Sequence, residues 1–539
     1  MDIHGKVVDI HEGRIYSAKV SVEGKIITKI EPNGHRGGRF IIPGFVDSHL
    51  HLESTLLPPS EFAQMALRHG TIGAICDPVG FATVFGISGI EYLLDNARVS
   101  PLKFSFTAPP CVPFDPKRTI GEHLGLEKIE ELLGEEAIVA LGEIKNMRAL
   151  FREDPELMAK IHATLLAEKP IDGYGLGLFG EKLAKMVQAH ISTDHESKTL
   201  SEAREKRDLG LKIAIQEGSA AKNLATLYPL LEEEPEGCFF CTNHLTPDHL
   251  LLGHIQLLVK KAVQRGLDPI DAIAIASKNP IERYGLDIGL LQVGDPADFL
   301  IVDDLRNFRV LETYINGECV FKEASLFPKM EARPLQKFGA EKIFPEQLAV
   351  AAKKGRIHII ALENSYGLTK KETILPTESD GELISDPSRD LLKVVVLDRL
   401  KPAAPAIGFI KNFGLKTGAI GSSVAHDTHP LIAIGTNDDD LCRVLNGLVE
   451  AKGGLAISFQ HHLDLLPLPI GGLLSNLEGE DLARHYGDMK EKTKEMGCLI
   501  DNPFLTLSML TDLALPELKM SEQGMIETST LELVPIYTR

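Results

Sequence analysis

His49 and His51, in the segment PGFVDSHLHLES, are the residues of this 539-residue chain whose spacing points most directly to chemistry. On a β-strand, residues i and i+2 project from the same face, so the two imidazoles can share one cation. Imidazole nitrogen is the usual ligand for zinc and suits iron and other transition metals. A bare His-x-His is a weak signal. Here it ends an apolar run, where the strands of a parallel barrel deliver their catalytic groups. Asp47 and Glu53 flank the pair and are candidates to orient the rings from behind. Glu143, at the end of AIVALGEI, is a carboxylate able to bridge two cations. His195, in STDHES, is a further candidate ligand, with Asp194 and Glu196 beside it as candidate orienting groups. Asn243 and His244 end the run GCFFCTN, where a late barrel strand would place a catalytic group. A cation held by such a set lowers the pKa of water toward neutrality and supplies hydroxide. A nearby carboxylate can then pass a proton to a leaving nitrogen.

The elements that must position these residues are legible from the pattern. The first forty residues read as short strands with turns (KVVDI, RIYSAKVSVEG, KIITKIEP). The apolar run from Phe40 to Val46, interrupted by Pro43-Gly44, has the character of a buried parallel strand. Up to about residue 284, strand candidates (TIGAICD, LKFSFTAP, AIVALGEI, GLKIAIQEG, GCFFCTN) alternate with helical stretches such as PSEFAQMALRHG, TLSEAREKRDLG and DHLLLGHIQLLVKKAVQRG. This alternation predicts an α/β protein with a (β/α)8, TIM-like barrel over residues 41–284. A doubly wound sheet is the competing arrangement, but no Gly-rich phosphate loop follows the first strand. Strand patterning returns over 285–330, so 1–40 and 285–330 together are expected to form a small flanking β-sandwich domain. A polar stretch near 325–345 reads as a linker. Residues 345–539 are long enough for an additional α+β C-terminal domain.

Composition narrows the function. Hydrophobic residues make up 44% and charged residues 25%, the balance of a soluble globular protein. The formal net charge of −19 opposes a nucleic-acid partner, whose phosphates call for Lys and Arg. No apolar run reaches the ~20 residues needed to span a bilayer, and no secretory signal is read, so a cytoplasmic location is expected. Seven scattered cysteines, an odd count, argue against a disulfide framework. The Cys238-x-x-Cys241 pair lacks the partners of a zinc site and reads as two buried small residues.

Several of these segments, namely PGFVDSHLHLEST, HGTIGAICDP, LGEIKN, STDHES, EGSAAKNL and VGDPADFLIVDDL, resemble the adenine deaminases of the bacterial and archaeal amidohydrolase type. The resemblance continues through GFIKNFGLKTGAIGSSVAHDTHPLIAIGTNDDDL and GCLIDNPFLTLSMLTDLALPELKMSEQG, which are similar to that family's extra C-terminal domain. It implies a two-metal site preferring iron or manganese, a homo-oligomer, and hydrolysis of adenine to hypoxanthine and ammonia; the ligand types themselves suit a divalent transition metal, manganese, iron or zinc, as one or two ions. His49 and His51 then hold the first metal, Glu143 bridges, and His195 holds the second.

Four positions depart from the family pattern. Tyr174 stands where the family has His, Asn243 where it has Asp, Val79-Gly80 where it has His-Glu, and Gln216 where it usually has Arg. Tyr174 can ligate only as a phenolate, and its unperturbed pKa near ~10 makes it a poor ligand. Asn243 can coordinate weakly through its amide oxygen but cannot take a proton as a carboxylate does. His190 and His244 are extra histidines able to replace a lost ligand, and Tyr174, His190 and Gln216 are retained as replacement ligands or substrate contacts. His426, Asp427 and His429 form a further cluster, read as a closure over the barrel mouth or as structural, without a metal. Three functions follow: an adenine deaminase; a diverged cyclic amidohydrolase acting on another heterocycle such as xanthine; or a non-catalytic purine-binding paralogue.

Overall fold

The computed structural model describes residues 1–34, 38–115, 121–325, 327, 332–426 and 428–538. Its centre is a sheet of eight parallel strands: β5 (Phe45–Leu50), β6 (Thr71–Cys76), β7 (Lys103–Ala108), β8 (Ile138–Ile144), β9 (Ile171–Gly173), β10 (Thr193–Asp194), β11 (Lys212–Gln216) and β12 (Cys238–Cys241). Each strand pairs with the next in sequence order. The sheet closes where Leu50 bridges Asn243: the Asn243 N–H donates to His49 O and the His51 N–H to Asn243 O, both at 2.9 Å. A helix follows most strands, for example Pro155–Leu166, whose Asp154 cap accepts from the Leu157 N–H, and Leu200–Asp208, capped by Thr199. The strands are almost wholly buried because helices cover the outside and side chains fill the interior.

The strand expected from Phe40 to Val46 is two strands. β4 (Phe40–Pro43) joins a separate eight-stranded sheet with β1 (Asp2–Asp9), β2 (Arg14–Glu23) and β3 (Ile26–Pro32). The same sheet holds β13 (Phe299–Val302), β14 (Val310–Ile315), β15 (Glu318–Lys322) and β16 (Ala324–Ser325). Gly44 is the crossing point to the barrel, and a Cβ there would lie 2.2 Å from Ile72 Cδ1. This outer sheet curls on itself. The Ile27 N–H donates to Asp295 O and the Ala297 N–H to Lys25 O, around a core of Val7, Val20, Ile41 and Phe299.

The helix expected over DHLLLGHIQLLVKKAVQRG is also divided, into Pro247–Leu252 and Ile255–Arg265. Extended backbone at Gly253 separates the two and turns the His254 ring inward to Asp47.

The C-terminal part carries a third eight-stranded sheet. Its strands run in the spatial order Thr369–Ile374, Ile357–Leu362, Ala406–Lys411, Leu391–Leu397, Leu431–Gly435, Ala419–Ser422, Gly454–Phe459 and His462–Pro467. Along Leu391–Leu397, Val395 and Leu397 pack with Leu441, Leu445 and Leu448 of the helix Asp438–Ala451. The alternate residues Val394 and Val396 belong to the contiguous core that also contains barrel residues. The C-terminal sheet is therefore packed against the barrel and can reach its mouth.

Candidate metal centre

Glu143 lies on β8, Gln216 at the end of β11, His195 one residue beyond β10, and Asn243 and His244 just beyond β12. With His49 and His51 at the end of β5, all face the C-terminal mouth of the barrel. One ligand atom from each of His49, His51 and Glu143 lies within 4.8 Å of the other two, and all three residues are buried. His195 joins them: its ring stacks on His49 at 4.2 Å, and its Nε2 lies 3.1 Å from Glu143 Oε2. His49 Nε2, both Glu143 oxygens and His195 Nε2 are buried without hydrogen-bond partners. Buried polar atoms are ordinarily satisfied, so four converging orphans of these types fit a cation. Burial alone would raise the Glu143 pKa, but Lys145, His195 and His51 overcome it and hold the carboxyl well below its usual value. Burial, with His195 and His51 beside it, holds His49 well below the ordinary histidine value, in the neutral form that binds metal.

The flanking carboxylates divide. Glu53 Oε1 lies 3.7 Å from His51 Nδ1, behind the ring whose Nε2 faces Glu143, whereas Glu196 Oε1 lies 3.7 Å from His195 Nε2, the nitrogen that itself faces Glu143. Asp47 and Asp194 have other partners. Asp47 accepts from the Thr242 hydroxyl at 2.5 Å, the Thr242 N–H at 3.1 Å and the His49 backbone N–H, and pairs with His254 Nε2 at 2.9 Å. It clasps β12 to β5 and holds no ring of the His49/His51 pair. Asp194 is held by buried Lys206 at 2.8 Å, by Ser197 and by the Gly175 N–H.

The departing positions form a connected network. Asn243 Nδ2 donates to Glu196 Oε1 and to Gln216 Oε1, each at 3.2 Å, leaving Asn243 Oδ1 unpartnered. Gln216 Nε2 donates to His195 O, and the Tyr366 hydroxyl, from the C-terminal part, donates to Glu196 Oε1 at 2.5 Å. An aspartate at 243 would lose both donations and face two acceptors. Tyr174 is buried 5.9 Å from the His195 ring. Burial, then Glu196 and Tyr366, pushes its phenol well above the ordinary tyrosine value. Gly80 leaves room for its neighbours: a Cβ there would lie 2.7 Å from both Glu53 Oε1 and His429 Nε2.

His244 stacks on His51 at 4.7 Å, and its Nδ1 pairs with Ser54 Oγ at 2.8 Å. His190, by contrast, is exposed beyond the helix Gly180–Gln188 and takes no part in the centre. His426 reaches in from the C-terminal part, its ring 4.7 Å from His244 and its Nε2 buried and unpartnered. His429 lies 6.1 Å farther on, and Asp427 lies outside the described residues. Lys145, Asp512, His254 and Tyr366 were not singled out from the sequence. Lys145 follows directly on the end of β8, two residues past Glu143. The others are brought in by tertiary contacts.

The amidohydrolase family model matches residues 40–320, and the adenine deaminase C-terminal domain model matches residues 367–532. The adenine deaminase of Salinibacter ruber is 41% identical over 536 residues, covering 99% of this chain and 98% of that one. The adenine deaminase of Methanosarcina mazei is 40% identical over 547 residues, covering 99% of each. The chain belongs to the adenine deaminase family of amidohydrolases. Membership accounts for the two-part construction, in which an amidohydrolase barrel is capped by a domain that supplies Tyr366, His426 and Asp512. The amidohydrolases are typically dependent on a divalent metal, and the His49, His51 and Glu143 group is where this member of the family would hold one. All seven cysteines are free, and Cys238 and Cys241 are buried in β12. Among the described residues, no helix is long and apolar enough to cross a membrane.

Proposed function

We propose that this chain hydrolyses purine heterocycles and deaminates adenine to hypoxanthine and ammonia. The observation that carries the reading is the buried His49/His51/Glu143 group with unpaired ligand atoms, in a chain matching adenine deaminases along its length. A cation there supplies Lewis acidity and makes bound water a nucleophile near neutral pH. His49, His51 and Glu143 would hold it, with His195, whose Nε2 is 3.1 Å from Glu143 Oε2, available to a second ion. Manganese, iron and zinc all suit this donor set.

The reaction adds water across the ring carbon bearing the amino group and breaks the carbon–nitrogen bond, with protons passing to the departing ammonia. Asn243 Oδ1 can accept a hydrogen bond and orient a reactant, but it cannot carry the proton. We assign that task to His244, whose Nδ1 is fixed by Ser54 and whose ring lies against His51. Glu53 lies beside the Nδ1 edge of the His51 ring, on the side away from Glu143. Buried walls of the capping domain exclude water. Seven unpaired cysteines support a reducing, cytoplasmic setting. A homo-oligomer is proposed on family grounds and is testable by sedimentation.

Replacement of the expected strand-end Asp by Asn243, with Gln216 bonded to it, favours one second reading: an altered heterocycle such as xanthine. Metal analysis joined to a substrate screen separates the readings. Near-stoichiometric metal with adenine turnover is the expected result. Metal with turnover of xanthine and none of adenine would favour the second reading, and a protein inactive and metal-free after loading would leave a purine-binding paralogue. His51→Ala is expected to lose the bound metal; unchanged metal content would show that the centre lies elsewhere.

A further inference from the structure

The centre contains a cation of its own in a place where it competes with a metal. Lys145 Nζ lies 3.3 Å from Glu143 Oε1, one of the orphaned ligand oxygens. The ammonium has two other partners. Asp512 Oδ2, from the C-terminal part, is also 3.3 Å away, and the Tyr174 ring face is 5.3 Å from Nζ. All these groups are nearly dry: the side chains of Glu143, Lys145 and Asp512 are 2%, 13% and 7% exposed. In so dry a place an ammonium keeps its charge only beside an anion, and whichever anion it pairs with is less available to a metal.

Resting on the metal-centre reading above, we propose that Asp512 is a positioning residue. It draws the Lys145 ammonium away from Glu143, with the Tyr174 face as a second support, and so leaves the Glu143 carboxylate free to bind the metal. The capping domain thereby sets the metal affinity of a site whose ligands are all on the barrel. The Lys145 side chain sits between the two carboxylates, its Nζ 3.3 Å from an oxygen of each, so the anion that holds it decides how free Glu143 is. Tyr174 thereby has a use apart from ligation: its ring face attracts the ammonium.

Asp512→Asn tests the idea with little disturbance, because Asp512 Oδ1 accepts from the Ala514 N–H at 2.9 Å and an amide oxygen can do the same. Full-length protein stripped with a chelator is titrated with Mn2+, and free Mn2+ is followed by its paramagnetic resonance. Asp512→Asn is expected to weaken uptake by about 10- to 100-fold, the range for losing a group that supports a ligand. Lys145→Met is expected to bind at least as tightly as wild type, and the double variant to bind like Lys145→Met. Asp512→Asn binding as wild type overturns the proposal. So does a double variant as weak as Asp512→Asn, since Asp512 would then act on the fold and not through Lys145. Wild-type protein that takes up no Mn2+ overturns the metal centre and this proposal together, whereas normal wild-type uptake with unaltered Asp512→Asn overturns this proposal alone.

Discussion

Single residues account for what the mouth of the barrel can do. His49, His51 and Glu143 project from strand ends whose neighbours are fully buried, so their unpaired atoms converge without loop rearrangement. His244 is the group to which we assign proton transfer, because Asn243 beside it is an amide. His244→Gln keeps a side chain able to bond Ser54 while removing the imidazole. It is expected to lower kcat about 100-fold, within the usual range for general acid–base loss, with metal content unchanged. A kcat within threefold of wild type would remove His244 from that role. His49, His51 and Glu143 are legible in the sequence because each stands at the end of an apolar run, and the period of a strand says which face it shares; His195 stands out only by its type and its acidic neighbours. The work of Asp47 was not legible. Its place beside His49 suggested an orienter, but Thr242 and His254, both about 200 residues away, claim its oxygens.

At the scale of elements, the decisive places are those where the chain changes sheet or direction. Pro43-Gly44 hands the chain from the outer sheet to the barrel, and only hydrogen fits against Ile72 there. Gly44→Ala forces Ile72 or the strand to move and is expected to destabilise by about 1–3 kcal/mol, as overpacking in a filled core does. Urea unfolding followed by far-UV circular dichroism measures this, and an unchanged midpoint would mean that the crossing has slack. The longer barrel strands are plain in the sequence. β9 and β10, with three and two residues, are too short to show any periodicity, although β10 places Asp194 directly before His195. The break at Gly253 was hidden for another reason. The apolar spacing continues across it, and the groups that hold the interruption, Asp47 and Thr71 on the His254 ring and Gln256 on its backbone N–H, come from the fold.

At the scale of the molecule, a metal would join elements far apart in sequence, so binding and stability are linked. Protein loaded at a free metal concentration near 100 times the dissociation constant is expected to gain about 2.7 kcal/mol over the stripped form. Thermal unfolding with and without chelator reads this, and coincident transitions would argue against a metal held only by the folded state. What the sequence by itself determined is the succession of buried strands and covering helices, and the candidate ligands at the strand ends. The succession, and the ligands on the longer strands, follow from local periodicity, which depends on neighbours a few residues away. What only the tertiary structure decided is the company those ligands keep: Ser54 with His244, Asn243 with Glu196 and Gln216, and Lys145 with Asp512, 367 residues apart. Such pairings depend on how the capping sheet packs on the barrel, and no pattern along the chain records that.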